Sequence, residues 1–125
     1  MASVNTDIAQ TLDITCRRGD TFSLTINFKQ SDGTSPVDLS NYSFEMEVRS
    51  SADDDGNSPV INKSDIGISI TNATGGTISI GITDTVMETV EGDTYVYDIQ
   101  AITADAGATT TWVTGSFTVN EDITI

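Results

Sequence analysis

The sequence predicts an all-β, two-layer antiparallel sandwich of about seven short strands, and three observations carry that reading. Apolar residues recur at every second position in segment after segment, which is the pattern of strands buried on one face. Turn signals rich in glycine, aspartate and asparagine separate these segments. Helical spacing occurs in one short stretch, near residues 84–90. With 125 residues, 37% of them apolar, the chain has the size of one domain and enough apolar surface for a core. We read residues 1–125 as a single sandwich with peripheral arms at 1–10 and 121–125, because those ends carry few apolar groups.

Leu12, Ile14 and Cys16 open the alternation, and Phe22, Leu24, Ile26 and Phe28 continue it beyond Arg17-Arg18-Gly19-Asp20. That turn predicts a hairpin between the two strands. Past Asp32-Gly33 and a short Val37/Leu39 step, Tyr42, Phe44, Met46 and Val48 alternate with Glu45, Glu47 and Arg49 on the wet face. Residues 50–59 are polar and predict an exposed loop. Val60 resumes a strand that Ile66, Ile68 and Ile70 continue or re-enter, and Asn72 to Gly76 turns it into Ile78, Ile80 and Ile82, with positive φ expected at a glycine. From Thr83 to Val90 the spacing of Val86, Met87 and Val90 predicts one or two helical turns, capped by Asp84 and ended by Gly92. Tyr95, Tyr97, Ile99 and Ala101 form the next strand, and Val113, Gly115, Phe117 and Val119 the last. The expected core is Ile14, Leu24, Ile26, Phe28, Phe44, Met46, Val48, Ile68, Ile80, Tyr97, Ile99, Phe117 and Val119.

Charge and residue usage exclude several functions. The formal net charge is -14, from 5 basic and 19 acidic residues, so the basic stripe that phosphates require is missing and neither nucleic acid nor an anionic membrane is expected as a partner. There is no histidine, which removes the commonest general base, the Ser-His and Cys-His pairs and the imidazole metal ligands. The pair Glu45/Glu47 shares a strand face, but that face is wet and offers no apolar pocket to raise a pKa. No catalytic residue, cofactor or metal is therefore expected.

Four further features are weighed the same way. Asp53-Asp54-Asp55-Gly56-Asn57 is acidic, but counting from Asp53 places serines at the sixth and twelfth positions, where a calcium loop needs glycine and glutamate. Arg18-Gly19-Asp20 spells an adhesion tripeptide and is also ordinary turn chemistry. Cys16, the single cysteine, fits a buried strand position. Trp112 is open between a core position and an exposed anchor for a partner. The opening MASVNTDIAQ carries neither a positive charge nor an apolar run, so a chain made and kept in a reducing cytoplasm until assembly is expected.

Several segments together resemble a known family. Arg18-Gly19-Asp20-Thr21-Phe22 is followed by Asp32-Gly33, by Pro36-Val37-Asp38-Leu39-Ser40-Asn41-Tyr42, and by a strand ending at Val48-Arg49. Later come Gly76-Thr77-Ile78-Ser79-Ile80, Thr83-Asp84-Thr85, Tyr97-Asp98-Ile99 and Gly115-Ser116-Phe117-Thr118-Val119. In this order they are similar to small structural proteins of tailed bacteriophages, including the N-terminal domains of upper baseplate proteins, which anchor receptor-binding parts to the tail. The resemblance implies an immunoglobulin-like β-sandwich and a non-enzymatic virion protein, made in the host cytoplasm. Such a protein binds the tail, baseplate or fibre-attachment region, with other phage structural proteins as partners and several copies in the assembly. A capsid decoration protein is the alternative it leaves open. A carbohydrate-binding module, with Tyr42, Tyr95, Tyr97 and Trp112 as its aromatic face, is a more distant one.

Overall fold

The computed structural model describes residues 2–5, 10–30, 32–50, 59–104 and 107–121. Its strands are β1 (Ala2–Asn5), β2 (Gln10–Thr11), β3 (Ile14–Arg17), β4 (Phe22–Lys29), β5 (Tyr42–Arg49), β6 (Gly67–Asn72), β7 (Thr77–Ile82), β8 (Asp93–Thr103) and β9 (Thr109–Asn120). A 3-10 turn covers Lys63–Asp65, and one helix, α1, covers Asp84–Glu88. One sheet has the order β1-β4-β7-β6; the other has β2-β9-β8-β5, with β3 also on β9. The neighbours β6-β7-β4 and β5-β8-β9 reproduce the two-sheet strand order of an immunoglobulin-like sandwich. The β6–β7 and β8–β9 hairpins are antiparallel, as the alternation predicts.

The sequence reading needs correction at the N-terminal strands. Arg17 to Asp20 does not close a hairpin: β3 pairs with β9 in parallel, whereas β4 pairs with β7 in the opposite sheet, so this turn carries the chain across the sandwich. Gly19, at φ 82°, supplies the left-handed residue that the crossing needs. The sandwich is accordingly not purely antiparallel, since β1, β2 and β3 all pair in parallel. Residues 1–10, expected as a peripheral arm, lie at the sheet edges in their described parts. Ala2–Asn5 runs beside Ile26 to Lys29, and Gln10–Thr11 beside Val113 and Thr114. At the other end, the described part of the second arm, Glu121, is bound to Arg18.

The core lies between the sheets, where Ile26, Phe28, Met46, Val48, Ile80, Ile99, Phe117 and Val119 are buried. Three expected core residues, Leu24, Phe44 and Ile68, are only half-buried and pack against its margin. Two connections contribute buried residues that no periodicity announces. Leu39 sits between β4 and β5, and Ile61 bridges to Val48 without forming the strand expected from Val60. Thr83, rather than Asp84, is the N-cap of α1, its hydroxyl accepting from the Val86 N–H, and Met87 fixes the helix to the core.

A bulge places Trp112. The β8–β9 register steps from Ile99↔Val113 to Gln100↔Thr111, which leaves Trp112 as the extra residue. Trp112 and Val113 both end up buried, which strict alternation forbids. Trp112, at 6% exposure, lies with Phe28, Tyr42 and Phe44 at centroid separations of 5.1, 4.9 and 5.6 Å. This is its core position; it is not an exposed anchor.

Candidate interaction surfaces

Glu45, Glu47 and Arg18, singled out for chemistry, have structural partners here. Glu45 is held by Lys63 at 3.2 Å and Glu47 by Arg49 at 3.4 Å, so each carboxylate has its own cation. In Arg18-Gly19-Asp20 the Arg18 guanidinium donates from Nε to the Glu88 carbonyl at 3.0 Å and pairs with Glu121 at 3.1 Å. Glu121 also accepts from the Gly92 N–H at 2.9 Å, so the arginine joins the ends of β3, α1 and β9 and is not presented for adhesion. Cys16 is half-buried, and burial raises its thiol pKa to about 11, leaving almost no thiolate at neutral pH. The Asp53 to Asn57 loop lies outside the described residues, and no cluster of carboxylates, histidines or cysteines suited to a metal occurs among the described ones.

The four aromatics proposed as a sugar platform do not form one. Tyr95 and Tyr97 are buried: the Tyr95 hydroxyl donates to the Glu91 carbonyl at 2.6 Å, and that of Tyr97 donates to the Leu12 carbonyl. The first of these bonds, at the start of β8 and reaching back four residues, has the form of the tyrosine corner of immunoglobulin-like folds. Burial is the main cause of the raised pKa of both phenols.

The segment that carried the resemblance, Asp32 to Tyr42, is structural too. The Asp32 carboxylate accepts from the N–H groups of Thr34 and Ser35, each at 2.8 Å, and from the Ser35 hydroxyl at 2.6 Å. These bonds hold its pKa at about 2. Asp38 does the same for Ser40, and Leu39 between them plugs the core. The conformation of this connection is thus written into its aspartates.

The two outer sheet faces differ. The face of β5, β8 and β9 is charged, with Glu47 directly across from Asp98. Asp98 is half-buried, and desolvation, then Glu47, raise its pKa against the opposing pull of Arg49. A carboxyl with a raised folded pKa penalises the fold once it is ionised, and the penalty is gone below the unfolded value. Asp98→Asn is therefore expected to raise the melting temperature at pH 7, with the gain shrinking to nothing as the pH falls below about 4, near the unfolded value. Thermal melts between pH 3 and pH 7 check this, and a gain independent of pH would contradict it.

Across its three longer strands the other outer face carries a single charge, Lys29 at the end of β4. Its cross-strand rows pair Ser23 with Gly81 and Gly67, Thr25 with Ser79 and Ser69, and Asn27 with Thr77. The Thr77 hydroxyl donates to Asn27 Oδ1 at 2.5 Å within this face. A shallow cleft of about 400 Å³ opens beside the crossing turn, lined by Thr15, Cys16, Arg17, Asp20 and Phe22 among others. It is open and polar, and holds none of the convergent donors of a ligand site.

Comparisons with known proteins agree with this architecture. The solved N-terminal domain of phage TP901-1 ORF48 aligns with a TM-score of 0.58 and 10% identity over 94% of both chains. A family 123 glycoside hydrolase from Clostridium perfringens aligns with a TM-score of 0.55 and 14% identity, over 93% of this chain but 24% of the enzyme. The NK cell receptor Nkp44 aligns with a TM-score of 0.51 and 15% identity, over 90% of this chain and 98% of the receptor. At these identities the likeness is one of fold. No curated protein matches by sequence. The model of the BppU N-terminal domain matches residues 2–120, which includes every described strand. The chain belongs to this family, that of the N-terminal domain of phage baseplate upper proteins.

Proposed function

We propose that this chain is a non-enzymatic structural domain of a phage tail or baseplate, present in the virion and held there by protein–protein contacts. The observation that carries the reading is the family match, which runs from β1 through β9. The described side chains are consistent with it, because Arg18, Asp32, Glu45 and Glu47 are engaged in turns and ion pairs. Two flat outer faces and the sheet edges are the means of recognition left. Since each copy carries a charge of -14, partners that meet the charged face must be basic, and raised salt slows their association.

Phage made without this chain test the proposal. The expected particles have filled capsids of normal size with a defective or missing tail end, restored when the protein is supplied in trans. Fragile capsids on intact, infectious tails would make it a capsid decoration protein instead.

A further inference from the structure

From Ile66 through Thr83 the chain has no charged residue, although charged residues make up 19% of the whole. This segment is the β6–β7 hairpin, and β6 is the edge of its sheet. Natural sheets blunt exposed edges with charge, proline or cover. The edge strand β5 follows that rule with Glu45, Glu47 and Arg49, and Ile61 bridges onto it at Val48. Among the described residues β6 carries no charge, proline or cover, and only the register shift at Asn72 interrupts it. It also carries Ile70, which is 38% exposed and the one large apolar side chain left open among the described residues.

We propose that β6 is a contact edge between two copies of this chain, the two strands pairing antiparallel about a two-fold axis so that both sheets continue into one. The occupant follows from charge and symmetry. A foreign partner selected by a chain of charge -14 is drawn to its carboxylates, and the hairpin offers none. A second copy meets Glu45 and Glu47 on the other long edge, β5, and no charge at this one. An isologous contact is self-complementary: Ile68 and Ile70 of each copy meet their counterparts on the core side, and Ser69 meets serine on the outer side. Between Gly67 and Ile70 the register with β7 is regular, leaving alternate backbone groups of β6 to pair outward; the shift at Asn72 ends the pairable stretch.

One short strand buries less than the roughly 1,200 Å² typical of a stable interface, so the free protein dimerises only when concentrated, and local concentration in a particle does the rest. The inference stands or falls in solution, independently of where in the virion the protein sits.

Sedimentation equilibrium of the whole chain at concentrations up to about 1 mM, in 0.05 M and 0.5 M NaCl, reads the contact. The expected result is a monomer–dimer equilibrium that tightens roughly tenfold at the higher salt, because screening removes like-charge repulsion. Ile70→Lys and, separately, Ser69→Lys are expected to leave only monomer at both salts. Ser43→Lys on β5 should leave the dimer intact. Melting curves identify any variant that fails to fold, and the second lysine variant then carries the test. A monomer at every concentration and salt, or a dimer unchanged by both β6 lysines, overturns the proposal. So does protection of the β6 amides from hydrogen exchange that arises only when another baseplate protein is added, which would assign the edge to that partner.

Discussion

Replacing Phe28 with alanine is expected to cost about 3–5 kcal/mol, a large part of the roughly 5–15 kcal/mol that holds a domain folded. Phe28 is fully buried, stacks on Phe44 at 5.5 Å and meets the edge of Trp112 at 5.1 Å. Its backbone N–H donates to the Gly76 carbonyl at 2.7 Å, and its carbonyl accepts from Val37 at 3.1 Å. Truncation thus empties the centre of the aromatic cluster at a point where three segments are tied together. Phe44, which the alternation places equally deep, is half-buried, so Phe44→Ala should cost clearly less. Urea unfolding of both variants measures the difference, and equal losses would show that the cluster is not packed around Phe28.

The second large effect is expected at Gly115, where any side chain meets backbone. A Cβ there would overlap the Leu12 carbonyl oxygen, with the Leu12 carbonyl carbon at 2.9 Å. The Tyr97 ring, opposite Gly115 in the register, donates its hydroxyl to that same oxygen. Gly115→Ala must therefore push β2 and β3 off β9, and a cost at or above the upper end of the roughly 1–3 kcal/mol of ordinary overpacking is expected. Gly81→Ala is the control, since its Cβ would find its nearest neighbour, the Phe22 carbonyl, at an ordinary 3.9 Å. Denaturation midpoints test the pair, and hydrogen exchange at Leu12 to Arg17 locates the damage. Equal behaviour of the two alanine variants would contradict the close approach.

These two sites also mark how far the sequence could be read. Period-two alternation identifies β4, β5, β7, β8 and β9 because one face of each is buried and the other is wet. Alternation is silent on partners, so the turn at Gly19 looked like a hairpin when it is a crossing between sheets. Trp112 was ambiguous because a bulge shifts its face, and a bulge leaves no trace in hydropathy. Leu39 and Ile61 lie in connections, where the short Val37/Leu39 step and the pair Val60-Ile61 are too brief to distinguish a plug from a chance exposure. Composition by itself narrows the chemistry that can be expected, since a chain without histidine has few ways to build an acid–base site. The uncharged hairpin from Ile66 to Thr83 was equally visible in the letters, but its meaning needed the sheet order that puts β6 at an edge.

The central claim is that this sandwich is a tail or baseplate component, and the position of the protein in the purified virion tests it most directly. Gold-labelled antibody against the native chain, viewed by electron microscopy, is expected to decorate the tail end of the particle and to leave the capsid bare. Label over the capsid surface, or none on intact particles whose tails are complete, would contradict it.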